Sequence, residues 1–382
     1  MNDLFYHASN IGNLTELLPL STVRMSGEKV CYFTSVRAYA LFYFHDMEIN
    51  HVTCGVSDAG IVIYHEQFPK QLETIYHGRS GYLYACENDD NMSIAHTNGI
   101  WAANKPVTVK TSEFVEDVYA EILKAEQSGE VQVIRYDSLS EEKKREIVDI
   151  MKNSIIRNNY LAVDTPKARF YAENFPQSWK DAETFITTRN HYDALIDENN
   201  DPVHDPEPLK AHMNKWDGEP FIEALQLTPD KSVLEIGVGT GRLAERVCGV
   251  CKSFTGIDIS SKTVERAKEN LKNFPNVQLI CGDFFTHSFT ETFDLIYSSL
   301  TFMHIKDKRA AIQKVAGLLN PNERFVLSIS KDQQTSLECG DRQIEIYPDT
   351  AEAIASFLIE AGFIIETQFD TEFAVVFAAH KE

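Results

Sequence analysis

The chain has 382 residues, of which 43% are hydrophobic and 24% are charged. One hydrophobic core rarely serves so long a chain, so we expect two domains. The net charge of −21 at pH 7 offers no basic surface for phosphate backbones, so nucleic acid is not expected as a partner. No apolar run approaches the ~20 residues that span a bilayer, and the first ten residues lack the features of a signal peptide. A cytoplasmic protein without a membrane partner is expected.

The seven cysteines form an odd set without a disulfide-framework spacing, which is typical of a reducing compartment. Cys248 and Cys251 make a single C-x-x-C without a second pair. A structural zinc ion needs four ligands, so buried thiols are expected there and no metal site is predicted.

Residues 1–158 are expected to form a smaller α+β domain of unknown role, with substrate selection and dimerisation as the options. Short alternating runs predict its strands: "DLFYHAS", "KVCYFTS", "NHVTCGVS", "GIVIYHE", "GYLYACEN", "VTVK" and "VQVIRY". Helical patterns follow at "VRAYALFYFHD", at "SEFVEDVYAEILKAEQ" and after a capping box from Ser138 to Glu141. Whether the protein forms a homo-oligomer is left open by the sequence.

The stretch "VLEIGVGTGRLAERV" places glycines between an apolar strand and a helical pattern. Gly237, Gly239 and Gly241 are spaced G-x-G-x-G, one residue shorter than the dinucleotide fingerprint. Glu235 lies two residues before the first glycine, where an anionic pyrophosphate would be repelled. The pattern favours a ligand that carries positive charge and hydroxyl groups.

The following residues alternate between strand and helix periods, as a parallel sheet with crossover helices requires. "KSFTGIDIS" predicts a second strand that ends at Asp258 and Ile259, followed by a helix that Ser260 or Ser261 begins. "NVQLICGDFF" predicts a third strand that ends in Gly282, Asp283 and Phe284. "FDLIYSS" and "RFVLSIS" predict the fourth and fifth strands.

From about residue 221 to its end the chain resembles the class I, Rossmann-like S-adenosylmethionine-dependent methyltransferases. The resemblance depends on "EIGVGTG", "GIDIS", "CGDFF" and "FDLIYSSLTFMHI". It implies an α/β fold with a doubly wound, seven-stranded, mostly parallel sheet over residues 159–382, whose last strand is antiparallel. It also implies a cofactor site for S-adenosylmethionine formed by Glu235, Gly237, Gly239, Gly241, Asp258, Ile259, Asp283, Phe284 and Ser298.

Within that site, Asp258 would bind the ribose hydroxyls, and Asp283 with Phe284 would hold the adenine. Two alternatives stay open: a similar fold that has lost its ligand, and Asp258 acting only as a helix N-cap.

Residues of about 159–220 precede the first cofactor strand, where the resemblance implies a helical cap. The segment is acidic and rich in Pro, Asn and Asp. Tyr192, His204 and Trp216 are expected to face the substrate pocket, the alternative being turns and helix caps that only shape the lid.

The loop "SSLTFMHIKDK" follows the fourth strand, where an open α/β sheet binds its ligand. His304 is the candidate general base, the alternative being a structural histidine. "DLIYSS" departs from the Asn/Asp-Pro-Pro-Tyr pattern of methyltransferases that act on nucleic-acid or glutamine amino groups. Methyl transfer to a small molecule is the predicted function, and a non-catalytic sensor or scaffold that binds the cofactor is the alternative.

The N-terminal part also has a faint resemblance to ADP-ribosyltransferase-like folds, through "YHAS", "YFTSVRAYALFY" and "GYLYACE". The resemblance implies that His7 binds the ribose of NAD, that Tyr32 and Thr34 line a nicotinamide pocket, and that Glu87 is the catalytic acid. The alternative places His7 in a sheet and the aromatic residues in a core.

Overall fold

The computed structural model describes residues 4–23, 27–87, 91–94 and 99–381. The chain divides into two units between Ala182 and Glu183, 24 residues after the predicted boundary between residues 158 and 159. The later boundary has a physical reason, because Phe170 and Phe175 pack in one buried cluster with Phe68 of the N-terminal unit. Part of the predicted cap therefore belongs to the N-terminal core.

The N-terminal unit is α+β over its described residues. Its helices are α1 (Arg37–Ala40), α2 (Gln71–Tyr76), α3 (Val118–Ser128), α4 (Glu141–Arg157) and α5 (Pro166–Asn174), and the division falls within α6 (Pro176–Asp197). Its strands are β1 (Leu4–Ser9), β2 (Glu16–Leu17), β3 (Ser21–Thr22), β4 (Lys29–Thr34), β5 (Cys54–Val56), β6 (Val62–His65), β7 (Gly81–Glu87), β8 (Met92–Ile94), β9 (Ile100–Ala103), β10 (Val107–Thr108), β11 (Thr111–Val115) and β12 (Val131–Ile134).

The main sheet of this unit has the described order β11-β7-β1-β4-β9-β8, with β3 paired to β4. Strand β11 replaces the start of a predicted helix, because Thr111–Val115 pairs with β7 along its whole length. Helix α3 begins only after Asp117, whose carboxylate accepts a hydrogen bond from the backbone NH of Ala120. Helix α4 is capped by Ser140, two residues later than predicted.

The C-terminal unit is α/β, as predicted. Its further helices are α7 (Glu207–Met213), α8 (Gly218–Ala224), α9 (Ala244–Cys248), α10 (Ser261–Asn270), α11 (Lys308–Leu318) and α12 (Ala351–Glu360). Its strands are β13 (Ser232–Ile236), β14 (Ser253–Asp258), β15 (Val277–Cys281), β16 (Phe293–Ser298), β17 (Leu319–Ser330), β18 (Ser336–Cys339), β19 (Arg342–Glu345), β20 (Phe363–Asp370) and β21 (Ala374–Lys381).

Through residue 381, the sheet of this unit has the order β15-β14-β13-β16-β17-β21-β20, and β18 and β19 form a separate hairpin. The pairs from β15 to β17 are parallel, whereas β21 is antiparallel to both of its neighbours. Successive side chains of a strand point to opposite faces. Accordingly, Leu234 and Ile296 lie in one core with α11 and α12, and Val233 and Leu295 lie in a second core with α9.

The chain order reverses on either side of β13, so β13, β14 and β16 meet at the topological switch point of the sheet. Ligands of open α/β sheets bind at the carboxyl ends of the strands there. No helix of the described residues is long and apolar enough to cross a membrane.

Candidate functional site

The glycine turn after β13 has a backbone that only glycine adopts without strain. Gly237 and Gly239 have φ of 79° and 56°. A Cβ atom on Gly237 would lie 1.9 Å from Oγ1 of Thr301, whereas a Cβ on Gly239 would meet no atom within 4 Å. Gly237 therefore allows the loop after β16 to approach, and Gly239 leaves open space above the turn.

Asp258 lies at the end of β14, directly beside this turn. Its carboxylate accepts hydrogen bonds from the backbone NH groups of Gly239, at 3.1 Å, and Ser260, at 3.0 Å. Burial raises the pKa of Asp258, and these backbone donors oppose the shift. Helix α10 is capped by Ser260, so Asp258 is not its N-cap. Ile259 follows, half-buried.

Glu235 lies behind the glycine turn, with 3% of its surface exposed. Its carboxylate accepts a hydrogen bond of 2.8 Å from the Tyr297 hydroxyl. Burial raises the pKa of Glu235 to about 8, although Tyr297 and Arg242 favour the ionised form. The side chain is thus satisfied within the protein, and its direct contact with a cofactor stays a prediction.

A buried ion pair, which the sequence analysis missed, lies close to Glu235. The guanidinium of Arg242 donates two hydrogen bonds to Asp217, at 3.0 and 2.5 Å, and the side chain of Asp217 is fully buried. Ser299 donates a further hydrogen bond of 2.9 Å to Asp217. Arg242 directly follows the last glycine of the turn, and this adjacency was the available signal; no local pattern indicates Asp217 as its partner.

Two predicted cofactor residues have other partners in the structure. Phe284 is 5% exposed and packs in the hydrophobic core near Phe289, with Nζ of Lys314 5.2 Å from its ring centroid. The Ser298 hydroxyl donates a hydrogen bond of 2.8 Å to the carbonyl of Ile236 and ties β16 to β13. Both side chains thus have a structural role in the core and in the strand pair, and their contact with a cofactor stays a prediction.

Asp283 is half-buried after β15, and its carboxylate accepts a hydrogen bond of 2.9 Å from the backbone NH of Phe285. This bond shapes the turn after the strand. Its role toward adenine stays a prediction.

Tyr192 of α6 contacts His304 of the loop after β16. The Tyr192 hydroxyl and Nε2 of His304 are 2.7 Å apart and form a hydrogen bond. Burial lowers the pKa of His304 to about 4, with smaller contributions from His191 and Lys308. Nδ1 of His304 is buried and has no hydrogen-bond partner among the described residues. The imidazole is therefore neutral at pH 7.

The other two cap residues differ in position. Trp216 lines a cavity of about 100 Å³ together with Leu300, Thr301 and Met303 of the loop after β16. His204 is exposed, and its Nε2 lies 3.1 Å from Oδ1 of Asn270 in α10. This contact holds the turn around His204 against the C-terminal end of α10, and a role of His204 toward a substrate stays a prediction.

In the N-terminal unit, the residues of the second resemblance lie on the neighbouring strands β7, β1 and β4. Nδ1 of His7 lies 2.8 Å from the carbonyl oxygen of Tyr32, Thr34 is buried, and Glu87 forms an ion pair with Lys110. His7 is thus satisfied within the sheet. An NAD-dependent role stays a prediction.

The C-terminal unit combines a glycine turn after its first strand, an acidic residue after its second and a sheet whose last strand is antiparallel. This combination is the one that the class I methyltransferase resemblance implied. Residues 234–327 match a family model described as a methyltransferase domain. The C-terminal unit therefore carries a class I S-adenosylmethionine-dependent methyltransferase domain, with S-adenosylmethionine as its cofactor.

Individual relatives are more distant. Nodulation protein S of Sinorhizobium fredii is 24% identical over 158 residues, which cover 40% of this chain and 71% of that protein. Malonyl-[acyl-carrier protein] O-methyltransferase of Priestia megaterium is 37% identical over 102 residues, which cover 25% of this chain and 36% of that protein. A solved structure, the N-methyltransferase NodS of Bradyrhizobium japonicum with S-adenosyl-l-homocysteine, is 19% identical, with a TM-score of 0.41, and covers 51% of this chain and 98% of that one.

Proposed function

We propose that the chain transfers a methyl group from S-adenosylmethionine to a small-molecule acceptor at the switch point of the C-terminal sheet. The observation that carries the proposal is the pairing of Gly239 with Asp258. One carboxylate oxygen of Asp258 fixes the backbone of the glycine turn, and the space above Gly239 is open. A position where a ligand can come close to the backbone therefore lies next to an acidic hydrogen-bond acceptor.

These residues fit the cofactor chemically. A carboxylate held by backbone NH groups can accept hydrogen bonds from ribose hydroxyls. The open space above Gly239 admits a ligand close to the backbone. When bound, S-adenosylmethionine supplies a methyl group on a positively charged sulfur. Asp217 is paired with the guanidinium of Arg242, and Glu235, with its pKa of about 8, is mostly protonated at pH 7. Asp258 is therefore the acid beside the turn that is proposed to contact the cofactor.

The protein's own contribution is alignment and exclusion of water, because methyl transfer to a neutral acceptor needs little else. His304 is a weak base, since its pKa of about 4 lies well below neutrality. Its hydrogen bond to Tyr192 instead holds the second half of α6 against the loop after β16. We assign His304 to positioning of that loop, in place of the predicted proton abstraction.

A small acceptor agrees with the size of the cavity beside Trp216, about 100 Å³. The relatives do not select an acceptor, because one is named for nodulation and the other for malonyl-[acyl-carrier protein]. A non-catalytic sensor would keep the same cofactor residues, so turnover has to distinguish the two functions.

Calorimetry with S-adenosylhomocysteine tests the cofactor site. Asp258→Asn is expected to weaken binding by about 1.5–3 kcal/mol, the usual value of hydrogen bonds to a charged group. Asp341→Asn, which alters an exposed acid in the turn of the β18–β19 hairpin, serves as the control and should bind as wild type does. Absence of binding to wild type would contradict the proposal. A metabolite extract with labelled cofactor then tests turnover, and binding without any labelled product would favour the sensor.

A further inference from the structure

The cavity beside Trp216 lies next to the glycine turn. Leu300 and Thr301 belong to its wall, and Thr301 is the residue whose side chain stands over Gly237. The cavity and the turn that we assign to the cofactor therefore share Thr301 as a neighbour. A methyl acceptor has to lie at such a distance to be aligned with the transferred group.

Aromatic and aliphatic side chains form most of the cavity wall. Trp216, Phe302 and Tyr347 contribute rings, and Leu337 and Ile346 close the side formed by the β18–β19 hairpin and the residue after it. The polar groups nearby are already used: Ser328 donates its hydroxyl proton to the carbonyl of Trp216, and Thr301 donates to the carbonyl of Ser299. The wall thus offers apolar surface, which favours a flat hydrocarbon ring.

Leu300 has φ of 58°, a left-handed conformation that is costly for a leucine. Strained residues of this kind are typical of binding sites, where the surrounding structure holds them in place. Leu300 is part of the cavity wall. The strain is consistent with a wall that is shaped for a ligand.

The ionisable residues of the cavity wall are acidic. Asp332 and Asp349 are the ionisable acids of its wall, and no lysine, arginine or histidine belongs to the wall as described. Lys308 forms an ion pair of 3.2 Å with Asp349 and donates to the carbonyl of Tyr347, so Asp349 is neutralised. Asp332 is exposed and is left as the negative charge. A carboxylate ligand would be repelled here, whereas an ammonium group would be attracted.

We propose that this cavity binds the aromatic ring of a small arylalkylamine, whose amino group lies toward Asp332, as the methyl acceptor. The inference rests on the proposed function and names its substrate class. The bound ammonium group would first release one proton to water, and the nitrogen lone pair would then form the N–C bond as the S–C bond of the cofactor breaks with both electrons left on sulfur. Aromatic acids would be poor ligands.

Binding of chosen probes to the full chain saturated with S-adenosylhomocysteine tests this inference separately from turnover. Phenethylamine carries ring and amine, 3-phenylpropanoate carries ring and acid, and butylamine carries the amine alone. Burial of a ring contributes about tenfold or more in affinity, so phenethylamine should bind at least about tenfold more tightly than butylamine. Phenethylamine should also bind more tightly than 3-phenylpropanoate. If either comparison probe binds as tightly as phenethylamine, the inference is overturned while the cofactor site stands.

Two variants of neighbouring residues locate the probe. Leu337→Trp fills the cavity and should weaken phenethylamine binding by about tenfold or more, with S-adenosylhomocysteine bound as in wild type. Glu338→Trp places the same side chain at the adjacent exposed position of β18 and should change neither affinity. Normal affinity for S-adenosylhomocysteine would show that the Leu337→Trp protein is folded. If that folded protein binds phenethylamine as tightly as wild type does, the assignment is refuted.

An exposed acid provides a variant that carries little risk to folding. Asp332→Asn should weaken phenethylamine binding by about two- to fivefold, the range of a solvent-exposed ion pair, and the effect should shrink in high salt. Asp341→Asn is the matched control and should leave it unchanged. Equal affinity of wild type and Asp332→Asn at low salt would exclude Asp332 as the partner of the amine. Failure of S-adenosylhomocysteine to bind wild type is a different result, because it removes the proposed function itself and the inference with it.

Discussion

Alanine substitutions at Gly237 and Gly239 separate two reasons for a glycine. Both residues have positive φ, so each alanine costs about 1–2 kcal/mol of backbone strain. Only at Gly237 does the added Cβ meet protein atoms, at 1.9 Å from Oγ1 and 2.6 Å from Cγ2 of Thr301. Overpacking of this kind adds about 1–3 kcal/mol. Gly237→Ala should therefore destabilise by about 2–5 kcal/mol and Gly239→Ala by about 1–2 kcal/mol.

The assay is urea unfolding of the full chain, repeated for both variants in a Thr301→Ala background. That change removes the two nearest atoms and leaves Cβ of Thr301 2.7 Å away. Part of the loss at Gly237 should then be recovered, and none at Gly239. Calorimetry with S-adenosylhomocysteine should show the opposite order. Gly239→Ala should weaken binding more than Gly237→Ala does, because the new methyl group at position 239 occupies the open space above the turn. Equal losses of stability, without recovery at Gly237, would refute the reasoning.

The remaining predictions concern buried ionisable groups. The pKa of Glu235 is raised to about 8, so the folded state retains a proton that the unfolded chain loses above about pH 4.5; stability should fall from there to pH 8 and the fall should disappear in Glu235→Gln. His304 has its pKa lowered to about 4, so stability should fall as pH decreases from about 6.5 to 4, less so in His304→Gln, and the pH–rate profile should lack an ionisation near 6.5 that this variant removes. Asp217→Ala removes the fully buried carboxylate that pairs with the half-buried side chain of Arg242 and should cost up to about 3–5 kcal/mol in chemical unfolding, whereas a loss below 1 kcal/mol would contradict the importance of the pair.

The first five strands of the C-terminal sheet could be predicted in order from the sequence, whereas the β18–β19 hairpin was not predicted. The periodic patterns of strands and helices are local properties of the sequence, and the polar or glycine residues after each apolar run indicated where the strand ends. Asp258 is an example: its position at the end of β14 followed from the strand pattern, and the structure places it beside the glycine turn.

Tertiary structure decided the direction and partners of individual side chains. Phe284 was predicted at the end of the third strand, whereas β15 ends at Cys281 and the ring of Phe284 packs into the core. His204 lies in the expected segment, yet it contacts α10. The division between the two units lies later in the chain than the predicted boundary, because Phe170 and Phe175 are buried with Phe68, about a hundred residues earlier in the chain.

The same limit applies to charge and pairing. The Asp217–Arg242 pair joins residues that no helix or strand period relates, and the low pKa of His304 depends on burial contributed by distant segments. In the N-terminal unit, Thr111–Val115 has a helix-like pattern, but pairing with β7 supplies its backbone hydrogen bonds as a strand. Local sequence determined where the elements and the glycine turn lie, because their signals repeat within a few residues. Only the folded chain decided which side chains face the site, because burial and hydrogen bonding there come from segments far apart in sequence.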